Sequence, residues 1–372
     1  MVVAGDRQTG PSGGSPPLPL RVLVTGSDGR AFAGATVTWQ VVSGGGSVSP
    51  TSTPTDAAGE AATVATLGLP GTMQVRAAVG GLTPATFQLT SIDPCRYLAP
   101  FRTDTSVTGA LTAADCDLGD GTRVDFYDLQ PLGQRTLEIT MHAASPAELD
   151  AFLWLWDFSG PIVALDDDGG GATDARIKVI LKAGRHVVGA NSYGVGELGA
   201  YTVASSVIPT TVTGCEDVWL TGSVTFTEAV TTGDCDAPVA GGTFYSDQFL
   251  IVLFTGQTVT ITESSGAVDP YLSLFRSTGE LVAEDDTSGG GTAARITFTA
   301  PATDIYVVDA GTALTDQTGS YSLALSPIVR APPVEGFGPR PGSPGGFLAP
   351  EIAPDQRPDV VRPRLRRPLR RP

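Results

Sequence analysis

Three tandem β-sandwiches followed by a disordered C-terminal tail are what this sequence predicts, and three observations carry the prediction. Thr, Val and Ser are favoured over helix formers, as suits a pleated, half-buried surface. Glycine (46) and proline (29) recur in short turn clusters between runs of alternating apolar and polar residues. The chain of 372 residues is too long for one ordinary core, and its second and third parts repeat one another.

The first module is read from period-2 strands. Leu20 to Thr25 forms a strand, GSDGR (Gly26 to Arg30) a tight turn, and ATVTWQVV (Ala35 to Val42) a strand that turns Trp39 to a core. A Gly-rich loop at Gly44 to Gly46 and a turn at Asp56 to Gly59 follow, with further strands at Glu60 to Leu67, Thr72 to Val79 and Ala85 to Thr90. GDRQTG at Gly5, GATVTW at Gly34, SGGGS at Ser43, TDAAG at Thr55 and GLTPATF at Gly81 stand in an order that resembles the group 1 bacterial Ig-like domains of invasin and intimin adhesins. That resemblance implies an Ig-like β-sandwich over residues 1–92.

Residues 95 to 206 and 215 to 326 match at an offset of about 120. Cys95 matches Cys215, and Cys116 matches Cys235. Leu149-Asp150-Ala-Phe-Leu-Trp-Leu matches Val268-Asp269-Pro-Tyr-Leu-Ser-Leu. Asp166, Asp167 and Gly170 match Asp285, Asp286 and Gly289, followed by Arg176-Ile177 and Arg295-Ile296. Gly199-Ala-Tyr201 matches Gly319-Ser-Tyr321. This order of an Asp-x-x-Leu-x-Leu strand, an Asp-Asp-Gly turn, an Arg-Ile strand and a Gly-x-Tyr strand resembles the pre-peptidase C-terminal domain. The resemblance implies two jelly-roll-like accessory sandwiches, at 93–208 and 209–326, of the sort carried by exported bacterial proteins. No peptidase domain accompanies them in this sequence.

Beyond Ser326 the chain is rich in Pro and Gly and ends in RPRLRRPLRRP, a composition that cannot bury enough apolar area to fold, so 327–372 is expected to be disordered. This tail holds nine Arg against Glu335, Glu351, Asp355 and Asp359, a net of +5. With the whole chain at −16, the rest stands at −21, from 14 basic and 35 acidic residues. An acidic body repels nucleic acid and anionic membrane and attracts divalent cations. No run of 18 apolar residues encodes a transmembrane helix. The opening MVVAGDRQTGPSGG lacks the basic end and apolar run of a signal peptide and reads as the start of a module, so a monomer or a piece of a longer chain is expected.

The four cysteines allow three connectivities. If each repeat folds alone, duplication selects Cys95–Cys116 and Cys215–Cys235, which places the protein in an oxidising, extracellular or cell-surface compartment. A zinc site is the competing reading, but its usual spacing is missing. For the acidic turns, Asp150, Asp166, Asp167 and Asp168 in the first repeat and Asp269, Asp285 and Asp286 in the second are candidate calcium ligands, since hard cations take carboxylates and the carbonyls of a Gly-rich turn. Against this stands a plain hairpin turn, with Arg176 or Arg295 pairing the carboxylates instead.

No constellation points to catalysis. His142 and His186 lie on alternating strands; GPSGG at Gly10 lacks the strand and helix of a nucleophile elbow; GVGELG at Gly194 precedes a strand, not a helix. Phe152, Trp154, Trp156 and Phe158 share one strand face; because Leu153 and Leu155 recur as Leu272 and Leu274, the leucines are assigned to the core and Trp154 to an exposed contact with sugar or protein. The sequence thus predicts a non-catalytic structural or adhesive segment of a bacterial surface or secreted protein, with an extracellular protein or polysaccharide as partner. The alternative is a set of accessory carbohydrate- or protein-binding modules of a secreted hydrolase.

Overall fold

Strands with alternating burial, together with central strands buried on both faces, build packed sheets, and the computed structural model describes them over residues 1–158, 162–209 and 214–326. The predicted tail at 327–372 lies outside the described residues. In the first module, β1 (Val2–Ala4), β3 (Leu20–Leu23), β7 (Glu60–Leu67) and β5 (Gly46–Ser49) form one sheet, in that order. The facing sheet runs β2 (Thr9–Pro11), β9 (Ala85–Ile92), β8 (Gly71–Ala78), β4 (Thr36–Ser43) and β6 (Ser52–Pro54). Trp39 sits in this core beside Phe87, as its strand parity predicts, and donates its indole N–H to Thr53 Oγ1 at 2.8 Å. Gly46 has φ +83°, and a Cβ there would stand 2.2 Å from the Thr66 carbonyl oxygen, which explains the glycine run before β5.

A 3-10 turn, Pro94–Arg96, leads into the first repeat. Its strands are β10 (Ala99–Phe101), β11 (Thr105–Leu111), β12 (Cys116–Asp117), β13 (Arg123–Leu129), β14 (Arg135–Ala143), β15 (Ala151–Asp157), β16 (Ile162–Asp166), β17 (Ala175–Leu181), β18 (His186–Ser192) and β19 (Gly199–Val207). A front sheet runs β10-β13-β18-β15-β16, with β12 on β13, and a back sheet runs β11-β19-β14-β17. The second repeat supplies β20 (Asp217–Leu220), β21 (Thr225–Val230), β22 (Cys235–Val239), β23 (Gly242–Leu253), β24 (Thr258–Ser264), β25 (Pro270–Arg276), β26 (Leu281–Asp285), β27 (Ala294–Thr299), β28 (Asp304–Thr312) and β29 (Gly319–Leu325). Its front order, β20-β23-β28-β25-β26, and back order, β21-β29-β24-β27, reproduce those of the first repeat strand for strand.

The repeats are not separate sandwiches on a string. Strand β20 lies parallel between β17 of the first repeat and β23 of the second, with Val179 opposite Trp219, Ile180 opposite Leu220 and Val218 opposite Phe249. One ten-stranded sheet therefore runs through both. The cores follow the same path. Trp219, Leu250, Ile305 and Val307 of the second repeat belong to the buried cluster of the first, and Ile180 of the first belongs to that of the second. Lys178 pairs with Glu216 across the joint, and Thr221 Oγ1 donates to the Ile180 carbonyl at 2.9 Å.

Both disulfides join the cysteines that the duplication selects, Cys95 to Cys116 and Cys215 to Cys235. Among the described residues no helix is long and apolar enough to cross a membrane.

Candidate functional site

The acidic turns occupy equivalent places at the β16–β17 and β26–β27 connections. Asp166, 7% exposed at the end of β16, accepts the Gly169 N–H and the Arg176 N–H, both at 2.7 Å, on one carboxylate oxygen. Asp285 does the same with Ser288 at 2.9 Å and Arg295 at 2.7 Å. Each aspartate thus closes its turn and satisfies the first outward amide of the following strand. Burial works to raise the Asp285 carboxyl, but the hydrogen bonds from Arg295, Ser288 and Thr287 outweigh it and hold the group below its usual value.

The sequence alternative of guanidinium pairing takes a different form: it is the backbone of each arginine that meets the carboxylate. The Arg176 side chain approaches Glu138 at 3.7 Å, and that of Arg295 donates to the Gly289 carbonyl at 3.1 Å.

In the first repeat, Asp150 is raised by burial and by the negative charges of Glu197, Asp167 and Asp168. Its backbone N–H donates to Glu197 Oε2 at 3.1 Å. In the second repeat Gln317 replaces that glutamate, receiving the Asp269 N–H at 3.1 Å, so the negative potential is weaker there. Asp286 is exposed. Among the described residues no group of three or more His, Cys, Asp or Glu side chains is arranged to hold a metal ion.

The expected exposure of Trp154 is corrected. Trp154 is 0% exposed and Trp156 1%, their rings stacked at 5.6 Å between centroids. Their strand β15 is buried on both faces, and apolar residues of the second repeat belong to the same cluster. Sequence parity assigned only one face of the strand to the core, whereas the tryptophan face is buried too, packed with Phe126 and Phe152 of the same repeat. No sugar can stack on Trp154.

A second pair of sites escaped the sequence reading. Tyr201 Oη donates to Asp125 Oδ2 at 2.5 Å and lies 2.7 Å from Tyr127 Oη. In the second repeat Tyr321 Oη donates to Asp247 Oδ2 at 2.7 Å. Asp247 is fully buried, and Glu228, Asp234, Glu263 and Asp309 are buried too. Burial, then the charges of Asp234, Glu228 and Asp309, push Asp247 up to about 8 against the Tyr321 hydrogen bond. Burial and the Asp115 charge likewise push Asp125 up to about 7. The tyrosines were legible in the Gly-x-Tyr match, and the signal for their partners was an aspartate at the same inward place of β13 and β23.

His142 Nδ1 meets Asp174 Oδ2 at 2.5 Å on the surface, while burial lowers His186, whose Nε2 lies 3.2 Å from the Lys182 carbonyl. Among the described residues, the two imidazoles meet a carboxylate and a backbone carbonyl. In GPSGG, Ser12 Oγ donates to the Gly68 carbonyl at 2.7 Å, a loop-closing role.

Likeness to known proteins differs between the first module and the two repeats. Residues 2–92 match the bacterial Ig-like domain (group 1). This Ig-like module carries the strands and Trp39 core described above. No curated protein matches the chain. Among solved structures, the pre-peptidase C-terminal domain of a Bacillus anthracis collagenase is 14% identical, covering 30% of this chain and 95% of that one with a TM-score of 0.25. PliG of Aeromonas hydrophila, a periplasmic inhibitor of g-type lysozyme, is 14% identical over 32% of this chain and 98% of that one, TM-score 0.23. The D0-D1 domain of intimin is 15% identical over 55% of this chain and 96% of that one, TM-score 0.22.

Proposed function

We propose that this chain is a non-catalytic structural or adhesive segment of a bacterial cell-surface or secreted protein, in which the two repeats form one stiff spacer behind the Ig-like module. The observation that carries the reading is β20, which binds both repeats into one sheet and draws their apolar residues into shared clusters. Relative motion of the repeats would break β-ladder hydrogen bonds and expose buried Trp219, whereas a flexible linker would cost neither. Two disulfides and an Ig-like module both fit an extracellular or surface location.

The test is a distance distribution between spin labels at exposed Thr108 and Thr227, one in each repeat, introduced in the oxidised protein. A single narrow distribution supports the stiff spacer. A broad one, like that of two modules on a tether, refutes it.

A cation at the first acidic turn is the second reading: the negative charges of Glu197, Asp167 and Asp168 that act on Asp150 favour it, although binding would first have to draw these carboxylates together. A chelator that leaves the unfolding midpoint unchanged removes it.

A further inference from the structure

Repeat 2 ends on an edge that repeat 1 keeps covered. In repeat 1, β20 covers the outer side of β17, pairing at Val179 and Ile180. The equivalent strand of repeat 2, β27, pairs only with β24 among the described strands.

The direction of its backbone follows from Ala300, whose N–H donates to the Gln257 carbonyl and whose carbonyl accepts from the Gly256 N–H, both at 2.8 Å. With the period of two, Ile296 and Phe298 also turn towards β24, and Arg295, Thr297 and Thr299 turn outward. Arg295 is already occupied, its N–H by Asp285 and its carbonyl by Ser288 Oγ at 3.0 Å. Thr297 and Thr299 remain as outward pairing positions, the counterparts of Lys178 and Ile180.

No proline, lysine or bulge among the described residues blunts this edge. Ala294–Thr299 contains no proline or lysine, and its register with β24 runs without a bulge. In a chain of net charge −16, most surface repels a second copy, but here the outward side chains are two neutral threonines and Arg295. The threonine hydroxyls already form cross-strand pairs, Thr258 with Thr299 at 2.7 Å and Thr260 with Thr297 at 3.0 Å.

We propose that β27 is a self-association edge, on which two copies of this chain pair their β27 strands antiparallel about Phe298, each Thr297 opposite the second copy's Thr299. This register uses the two open backbone positions of both copies, leaves the Asp285 turn outside the contact, and extends the rows of paired threonine hydroxyls across the join. Head-to-tail addition through β10 is not offered. Pro100 lies opposite Asp128 where Trp219 lies opposite Leu250, and it has no N–H to give a neighbouring strand. The contact is small, so its affinity is weak and its effect grows with surface density.

Sedimentation equilibrium of the full chain, from micromolar to millimolar concentration under non-reducing conditions, tests the proposal. A reversible monomer–dimer equilibrium is expected. Thr297→Pro removes the outward N–H, together with the hydroxyl paired to Thr260, and abolishes the dimer. Thr297→Lys with Thr299→Lys sets like charges opposite one another and weakens it about tenfold, whereas Thr297→Lys with Thr299→Glu tightens it. Should the proline variant fail to fold, the two charge variants decide. A chain that stays monomeric throughout, or a dimer indifferent to both charge variants, overturns the proposal.

Discussion

Raising the pH from about 5 to about 8 should weaken the second repeat, because its core closes around a carboxyl group that prefers to stay protonated. Asp247 is fully buried, accepts the Tyr321 hydroxyl, and has its pKa raised from 3.8 to about 8. A group whose folded pKa is raised contributes stability that is complete below its unfolded pKa, near 4, and is lost as pH climbs to the folded value. Each pH unit in that window removes about 1.4 kcal/mol, so the step from pH 5 to pH 8 costs on the order of 4 kcal/mol.

For a cooperative body of this size that corresponds to a midpoint lowered by roughly 10 °C. In the first repeat Asp125, raised to about 7, acts in the same direction, and His186, lowered by burial, acts in the opposite one and offsets part of that effect. Asp117 and Asp285, held below their usual values, contribute stability lost only as pH falls through the acid range, outside this window. The assay is calorimetry of the oxidised chain at successive pH values, with Asp247→Asn alongside. The wild type should lose stability from pH 5 to 8 and level off above, and the variant should show a much flatter profile. A midpoint that rises across this window, or an unchanged slope in Asp247→Asn, refutes the reasoning.

Other outcomes follow from the same geometry. Trp154→Ala should cost about 3–5 kcal/mol in urea unfolding, the range for emptying a buried aromatic site, with no effect on sugar binding. Replacing Cys95 and Cys116 by serine should lower stability by roughly 3 kcal/mol, measured by denaturant titration against the oxidised parent. Asp166→Ala, which strands the Gly169 and Arg176 amides, should destabilise by about 1–3 kcal/mol in both calcium and chelator if the aspartate only closes its turn. A loss confined to calcium-containing buffer would instead assign the turn a metal.

Local pattern made much of this fold legible. Alternation gave the strands that begin near Leu20, Ala35, Glu60, Thr72 and Ala85, because each buries one face within its own module, but not the short β5 and β6. Duplication gave the cysteine pairs, because each disulfide closes inside one repeat. What the pattern could not convey was contact between repeats. The strand β20 is four residues long and pairs in parallel with partners some forty and thirty positions away, so nothing near Asp217–Leu220 announces them. Trp154 was misplaced because the parity of a lone strand does not show that both of its faces are covered. The buried aspartates were hidden for a different reason: composition counts them as surface charge, and only burial beside Tyr201 and Tyr321 changes their character.

Calorimetric unfolding of the full oxidised chain beside Trp219→Ala shows whether residues 93–326 behave as one stiff body. The two repeats should melt in a single cooperative transition, which the variant splits in two by emptying the site that β20 fills between them. Two separate transitions in the unaltered chain, left in place by the variant, would contradict it.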